Sequence, residues 1–298
     1  MFEHEAMKAP LHGKRVVVTR TREQAGTMCE KLRALGAVPI EFPTIRIVPP
    51  SDWTQLDVAL RRLCSPGGYD WVVFTSANGV TICLDRLRDL GYAPEAIKHA
   101  RVAAIGPATA AALQRYGITA NLVPQEYIAE RVAEALIADA QQRGESLQGK
   151  RILLARAAEA RKVLFTLLHD ADATVEEVAA YYTLPITHDD TQGRNVVSLL
   201  QQGQIDAITF TSSSTVRNFV AWLNSHARED GLFDLVNQRV VIACIGPVTA
   251  QTARTLGLHV DVVASVFTVD GLINAFFGIP RWIEEDPPSS GHPGEDKA

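Results

Sequence analysis

Asp70-Trp71-Val72-Val73-Phe74-Thr75-Ser76 returns 136 positions later as Asp206-Ala207-Ile208-Thr209-Phe210-Thr211-Ser212. Each copy is a short run of mostly apolar residues that stops at hydroxyl side chains, the pattern of a buried strand feeding a helix cap. The same offset relates Gly13-Lys14-Arg15 to Gly149-Lys150-Arg151, which open strands ending in Thr19-Arg20 and Ala155-Arg156. A third pair, Ile105-Gly106-Pro107-Ala108-Thr109-Ala110 and Ile245-Gly246-Pro247-Val248-Thr249-Ala250, is displaced by 140, so the second copy has gained four residues between motifs. One unit has been duplicated. Two similar lobes on one chain create a cleft, and ligands favour such clefts.

Working outward, β-branched runs alternate with helical periodicity: residues 71–74 then 78–90, 101–105 then 107–116, and 121–123 then 128–138. The second copy repeats this order from Arg151 to Phe277. Continuous apolar strands separated by helices predict parallel sheets covered on both faces. The expected fold is therefore α/β, two similar doubly wound parallel-sheet domains. Proline-bearing extended segments at residues 42–50 and 182–187 suit crossings between domains, which favours interleaved copies over copies laid end to end. The expected partition is residues 13–43 plus 186–280 for domain 1 and 50–181 for domain 2, with linkers at 44–49 and 182–185. Residues 1–12 and 281–298, the latter rich in Pro, Gly, Ser and acid, are expected to be disordered tails.

At 298 residues the chain accommodates two ordinary domains, and 47% apolar with 21% charged residues is a globular composition. No apolar run approaches the roughly 18 residues that cross a membrane. The N-terminus lacks a signal-peptide core, so a cytoplasmic location is expected. Cys29, Cys64, Cys83 and Cys244 lack ligand spacing and read as buried, unpaired small residues. A net charge of −5 without a basic tract argues against a nucleic-acid surface. No G-x-G-x-x-G follows a strand, and no Walker loop, H-E-x-x-H or G-x-S-x-G occurs. His4, His12 and His292 fall in the tails, and the other histidines read as isolated, solvated residues. No coiled-coil seam stands out, so a monomer is expected.

Thr75, Ser76 and Asn78, and Ser212 and Ser213 opposite them, stand where strands pass into helices. There, hydroxyl and amide groups either cap the helix or hold a ligand. In the Gly-Pro-x-Thr turns glycine permits the sharp bend and proline suits the first helical position, placing Thr109 and Thr249 in the first turn. Four such helix starts would ring the cleft with N–H donors, suited to a large ligand with several carboxylates or phosphates. Arg20 and Arg156 would either add charge to that rim or form surface salt bridges. Of Tyr181 and Tyr182, one would face the cleft while its neighbour packs away, unless both are core aromatics.

In these ordered motifs, with Val17-Val18-Thr19-Arg20 before them and Tyr181-x-Thr183 among them, the chain resembles the uroporphyrinogen-III synthases over about Gly13 to Phe277. The resemblance implies two α/β domains joined by a two-stranded crossover linker. It also implies a lyase of haem, porphyrin and tetrapyrrole biosynthesis that acts on hydroxymethylbilane, a linear tetrapyrrole with eight carboxylates. Loss of the terminal hydroxyl as water would give an azafulvene. Attack at the substituted carbon of the last pyrrole ring would then form a spiro intermediate, whose fragmentation lets that ring reattach inverted. The substrate's pyrroles supply the electrons, so no metal or redox cofactor is implied.

Carried over by residue, Tyr181 matches the tyrosine that assists departure of the hydroxyl, with Tyr182 as the local alternative. Thr109 and Thr249 match the family's threonines and Ser76 and Ser212 its serines, expected to bind propionate and acetate groups; Arg20, Thr75, Asn78, Arg156 and Ser213 join them as substrate-binding candidates from the rim reading. Glu41 to Pro43 approximately mirror the position of Tyr181 in the first copy, with no tyrosine there. Two rivals stand beside this reading: a two-lobed binding or regulatory protein for an anionic tetrapyrrole-like ligand, and a tandem α/β enzyme acting on another polycarboxylate.

Overall fold

The computed structural model describes residues 9–188, 190–226, 231–279 and 282. In chain order its elements are β1 (Arg15–Val18), α1 (Arg22–Ala34), β2 (Val38–Glu41), β3 (Ile45–Val48), α2 (Thr54–Leu63), β4 (Trp71–Phe74), α3 (Ala77–Asp89), β5 (Arg101–Ala104), α4 (Pro107–Gln114), α5 (Ala129–Gln142), β6 (Arg151–Ala157), α6 (Val163–Asp170) and β7 (Thr174–Pro185). There follow α7 (Thr191–Gln201), β8 (Ala207–Phe210), α8 (Ser213–His226), α9 (Leu232–Arg239), β9 (Val241–Cys244), α10 (Pro247–Thr255), β10 (Val262–Val263) and α11 (Val269–Asn274). The chain divides into two compact units: unit 2 is Ile45–Pro185, and unit 1 takes everything up to Thr44 and from Ile186 onward.

Unit 1 holds a parallel sheet in the order β10-β9-β8-β1-β2. Val16 of β1 lies opposite Ala207 of β8, so a strand from the opening of the chain completes its sheet with strands from the second copy. Alternation along β1 sends Val17 into one apolar layer with Phe42, Ile208, Phe210 and Phe219, and Val16 and Val18 into the other with Met28, Leu32 and Phe276. Each fully buried side chain of this size contributes roughly 1.5–3 kcal/mol of transfer free energy.

Unit 2 has the order β3-β7-β6-β4-β5 and is likewise parallel, except for β3, which runs antiparallel to β7 and pairs Ile45 with Pro185 and Val48 with Tyr182. Val72 and Phe74 of β4 face the layer under α2 and α3, while Trp71 and Val73 face the layer under α5 and α6. Burial on both faces is why these strands read as uninterrupted apolar runs. The doubly wound α/β architecture expected from the repeat is the one observed.

Residues 45–48 and 182–185, expected as the strands of a two-stranded crossover, pair with one another antiparallel at the edge of the unit 2 sheet. Two details differ from the sequence expectations. Within the expected tails, Leu11 is 1% exposed in the unit 1 core and the Trp282 ring packs tilted against Phe276 with centroids 5.2 Å apart, while residues 1–8, 281 and 283–298 lie outside the described residues. The strand expected at 121–123 is a single bridge between Ala103 and Leu122. Asn121 Oδ1 there accepts the N–H of Val102 at 2.8 Å, and Pro124 has no N–H to continue a ladder. All four cysteines are buried and free, and burial pushes the thiols of Cys83 and Cys244 up to about 12. Among the described residues no helix is long and apolar enough to cross a membrane.

Candidate active site

In unit 1 the chain leaves β1 toward β2 on one side and β8 toward β9 and β10 on the other, so the strand order reverses between β1 and β8. In unit 2 the reversal lies between β4 and β6. Loops beyond the C-terminal ends of strands at such a reversal border a crevice, where open α/β sheets bind ligands. Those loops carry Arg20 and Ser212 in unit 1, and Thr75, Ser76 and the turn after Ala157 in unit 2.

Unit 2 builds the more elaborate rim. Ser76 is the N-cap of α3, and its Oγ accepts the N–H of Gly79 at 3.0 Å. The same Oγ lies 2.9 Å from the hydroxyl of Tyr181. Tyr181 is 7% exposed and packs with Phe74, Val80 and Cys83, whereas Tyr182 is 39% exposed. The choice between them is made by a shift of register. Arg156 pairs with Ala179 but Ala157 pairs with Tyr181, so Ala180 is extra, and both Ala180 and Tyr181 enter the layer that Val178 faces. Burial raises the pKa of Tyr181 above that of an ordinary phenol; the hydrogen bond with Ser76 draws it partly back, and Glu159 adds to the rise. Thr75 and Asn78 flank Ser76, half-buried.

Gly79 lets α3 start close against β6 beside this contact. A Cβ there would stand 3.2 Å from the Ala155 carbonyl oxygen and 3.8 Å from the Tyr181 ring. Gly106 is constrained in the same way, since its Cβ would meet the Tyr127 ring at 2.9 Å. Pro107 and Pro247 occupy the first turns of α4 and α10 as expected, and Thr109 and Thr249 behind them are buried.

The two arginines part company. Arg156 is 2% exposed, with Nη2 donating to Glu177 Oε2 at 3.0 Å and Nη1 to the Arg161 carbonyl at 3.0 Å. It is an internal ion pair rather than the ligand contact or surface bridge expected of it. Burial works to raise the pKa of Glu177, but the hydrogen bonds from Arg156 and Lys162 outweigh it, and the carboxyl sits below its ordinary value. Arg20 has no carboxylate partner among the described residues: Nη2 donates to Gln24 Oε1 at 3.3 Å, and the buried Nε has no acceptor. Burial lowers its pKa.

In unit 1 the hydroxyl cluster is turned upon itself. Ser212 Oγ accepts the N–H of Thr215 at 3.2 Å and lies 2.9 Å from Ser214 Oγ. Thr252 spends its proton on the Val248 carbonyl, so Ser213, 2.8 Å from Thr252 Oγ1, donates to it and ties α8 to α10. Val18 pairs with Glu41 and Leu154 with Glu177, which makes Glu177 the counterpart of Glu41 and places Tyr181 four residues beyond the mirrored position. What meets the start of α8 is Thr44, whose hydroxyl is 3.1 Å from the Thr215 carbonyl and 3.4 Å from that of Thr19.

Glu177, Gly79 and Thr44 escaped the sequence reading, although the 136-residue offset from Glu41 to Glu177 was there to find. His188, expected to be solvated, is buried, with Nε2 2.6 Å from the Pro43 carbonyl and its ring stacked on Phe42 at 4.0 Å. No local pattern marks it.

A family model described as uroporphyrinogen-III synthase HemD matches residues 26–274. The uroporphyrinogen-III synthase of Synechococcus elongatus is 34% identical over 278 residues, 93% of this chain and 98% of that protein. The porphyrin biosynthesis protein HemD of Ruminiclostridium josui is 30% identical over 273 residues, 92% of this chain, and the chain spans 50% of its length. Among solved structures, a mutant uroporphyrinogen III synthase from Thermus thermophilus matches with a TM-score of 0.62 at 20% identity, over 92% of this chain and all of that one. The Helicobacter pylori uroporphyrinogen-III synthetase matches with 0.54 at 14% identity, over 88% and 97%. The solved structures share the fold, and the family model together with the Synechococcus relative shows that the chain belongs to the uroporphyrinogen-III synthase family.

Proposed function

We propose that the chain closes hydroxymethylbilane to uroporphyrinogen III, with Tyr181 as the group that assists departure of the terminal hydroxyl. Membership of a family of cyclising hydro-lyases supports the reaction. The buried phenol of Tyr181, held at the N-terminus of α3 beside Ser76, supports the assignment of residues. The substrate's C–O bond breaks with its electron pair on oxygen, the adjacent pyrrole supplies electrons to form the azafulvene cation, and Tyr181 hydrogen-bonds to the departing oxygen. Its high pKa suits hydrogen-bond assistance better than complete proton transfer. The remaining work is positioning, because unassisted closure gives the uninverted isomer.

Arg20, which has no carboxylate partner among the described residues, and the first turns of α3, α4, α8 and α10 are suited to propionate and acetate groups. A cytoplasmic monomer fits this role. Incubating the purified chain with enzymatically generated hydroxymethylbilane and resolving the products tests the reading. Isomer III is expected; isomer I alone would overturn the assignment.

A further inference from the structure

The Ser76 hydroxyl is already spoken for. It accepts one hydrogen bond from Gly79 N–H, and Tyr181 Oη is its other neighbour at 2.9 Å. A serine hydroxyl has a single proton. If Tyr181 donated to Ser76, the phenolic proton would be consumed inside the protein and no donor would remain for the substrate. If Ser76 donates, the phenolic O–H stays available. The N–H of Gly79 polarises the serine hydroxyl toward donation, since hydrogen bonds in a chain strengthen one another. The N-terminus of α3 adds a positive potential beside the phenolic oxygen.

We propose that Ser76 is a positioning residue and not a carboxylate ligand: it donates to Tyr181 Oη, fixes the ring, and leaves the phenolic proton directed at the departing hydroxyl. As that hydroxyl leaves with the C–O electron pair and draws on the phenolic proton, negative charge gathers on Oη, where Ser76 and the helix start meet it. The departing hydroxide is held by this hydrogen bond and leaves as water; the proton it takes is balanced when the unsubstituted α-carbon of the last ring, having attacked the azafulvene formed as the spiro intermediate opens, loses its hydrogen. At the equivalent place in unit 1, Ser212 is instead turned to Ser214 and Thr215.

The inference rests on the assignment of Tyr181 above, and its test separates the two. Ser76→Gly removes the hydroxyl while keeping a residue tolerated at a helix N-cap, and Ser76→Thr restores a hydroxyl. With enzymatically generated hydroxymethylbilane, Ser76→Gly should lower kcat for isomer III about tenfold with KM within about twofold, and Ser76→Thr should recover most of the rate. The alkaline limb of the kcat profile should move to higher pH in Ser76→Gly, because Tyr181 loses the bond that lowers its pKa. In the Tyr181→Phe background, Ser76→Gly should cost nothing more. A raised KM with unchanged kcat, or losses that multiply in the double variant, would overturn the positioning role while leaving Tyr181 in place. Full activity of Tyr181→Phe would instead remove the assignment of Tyr181, and the inference with it.

Discussion

The rim of unit 1 and the rim of unit 2 descend from one repeated motif, yet they spend their hydroxyl groups differently. In unit 1, Ser212, Ser214 and Thr215 satisfy one another, Ser213 is tied to α10, and Thr44 closes on main-chain carbonyls. In unit 2, glycine replaces threonine at the third helical position, and a tyrosine from β7 reaches the capping serine. The charges divide the other way: Arg20 in unit 1 meets Gln24 and has no carboxylate partner among the described residues, while Arg156 in unit 2 is paired inside the fold with Glu177. Duplication has thus produced one rim whose hydroxyls are turned on one another and one in which a capping serine meets a buried phenol.

The comparison is broken most directly at Tyr181. Tyr181→Phe should reduce isomer III formation by about a hundredfold, measured by initial rates with product isomers resolved, while the urea midpoint barely moves. A rate within twofold of the parent would show that the unit 2 rim has no special chemistry.

Next comes the buried pair that separates the arginines. Glu177→Gln leaves Arg156 without its carboxylate and should cost about 3 kcal/mol in urea unfolding. Because the pKa of Glu177 is depressed in the folded state, its contribution is present above the ordinary glutamate value and is lost as pH falls through the folded value. Stability of the variant should therefore fall less steeply than that of the parent under acid. An unchanged urea midpoint at neutral pH would mean that Arg156 is not dependent on this partner.

A smaller effect is expected at Arg20. Arg20→Gln should raise KM about tenfold with kcat nearly kept, as for loss of one charge-assisted contact, and the KM of the parent should rise with salt. An unchanged KM would deny unit 1 its anion-holding role. Smallest is Ser212→Ala, which should cost about 1 kcal/mol of stability through the lost helix cap and leave isomer III formation within about twofold. A kcat loss matching that of Ser76→Gly would erase the distinction between the rims.

The repeat and its proline-bearing crossings made the fold legible, because a strand buried on both faces leaves a continuous apolar run and a duplicated run is hard to mistake. The rim was legible in position only. Thr75, Ser76, Ser212 and Ser213 were found because hydroxyls at helix starts are a local signal, but which hydroxyl faces what depends on the fold: Ser76 meets Tyr181, 105 positions on, while Ser212 turns to Ser214 and Thr215. Tyr181 and Tyr182 could not be told apart from strand alternation, since the extra residue at Ala180 inverts the alternation. Arg20 and Arg156 look identical in sequence, and their difference lies in Glu177, brought alongside β6 by pairing across the sheet.

The interleaving of the copies also orders the birth of the molecule. Unit 2 is complete once Pro185 has been synthesised, whereas β1 must wait for Ala207 to Phe210, some 190 residues downstream, before it has a neighbour on that side. A nascent chain thus carries an early hairpinless β1–α1–β2 fragment with an exposed apolar edge while the middle of the protein folds. Contacts of such sequence separation close slowly. Unit 1 should accordingly fold last and be the part most dependent on chaperones during synthesis, so that truncation beyond residue 185 leaves unit 2 protected from protease and the opening strands degraded.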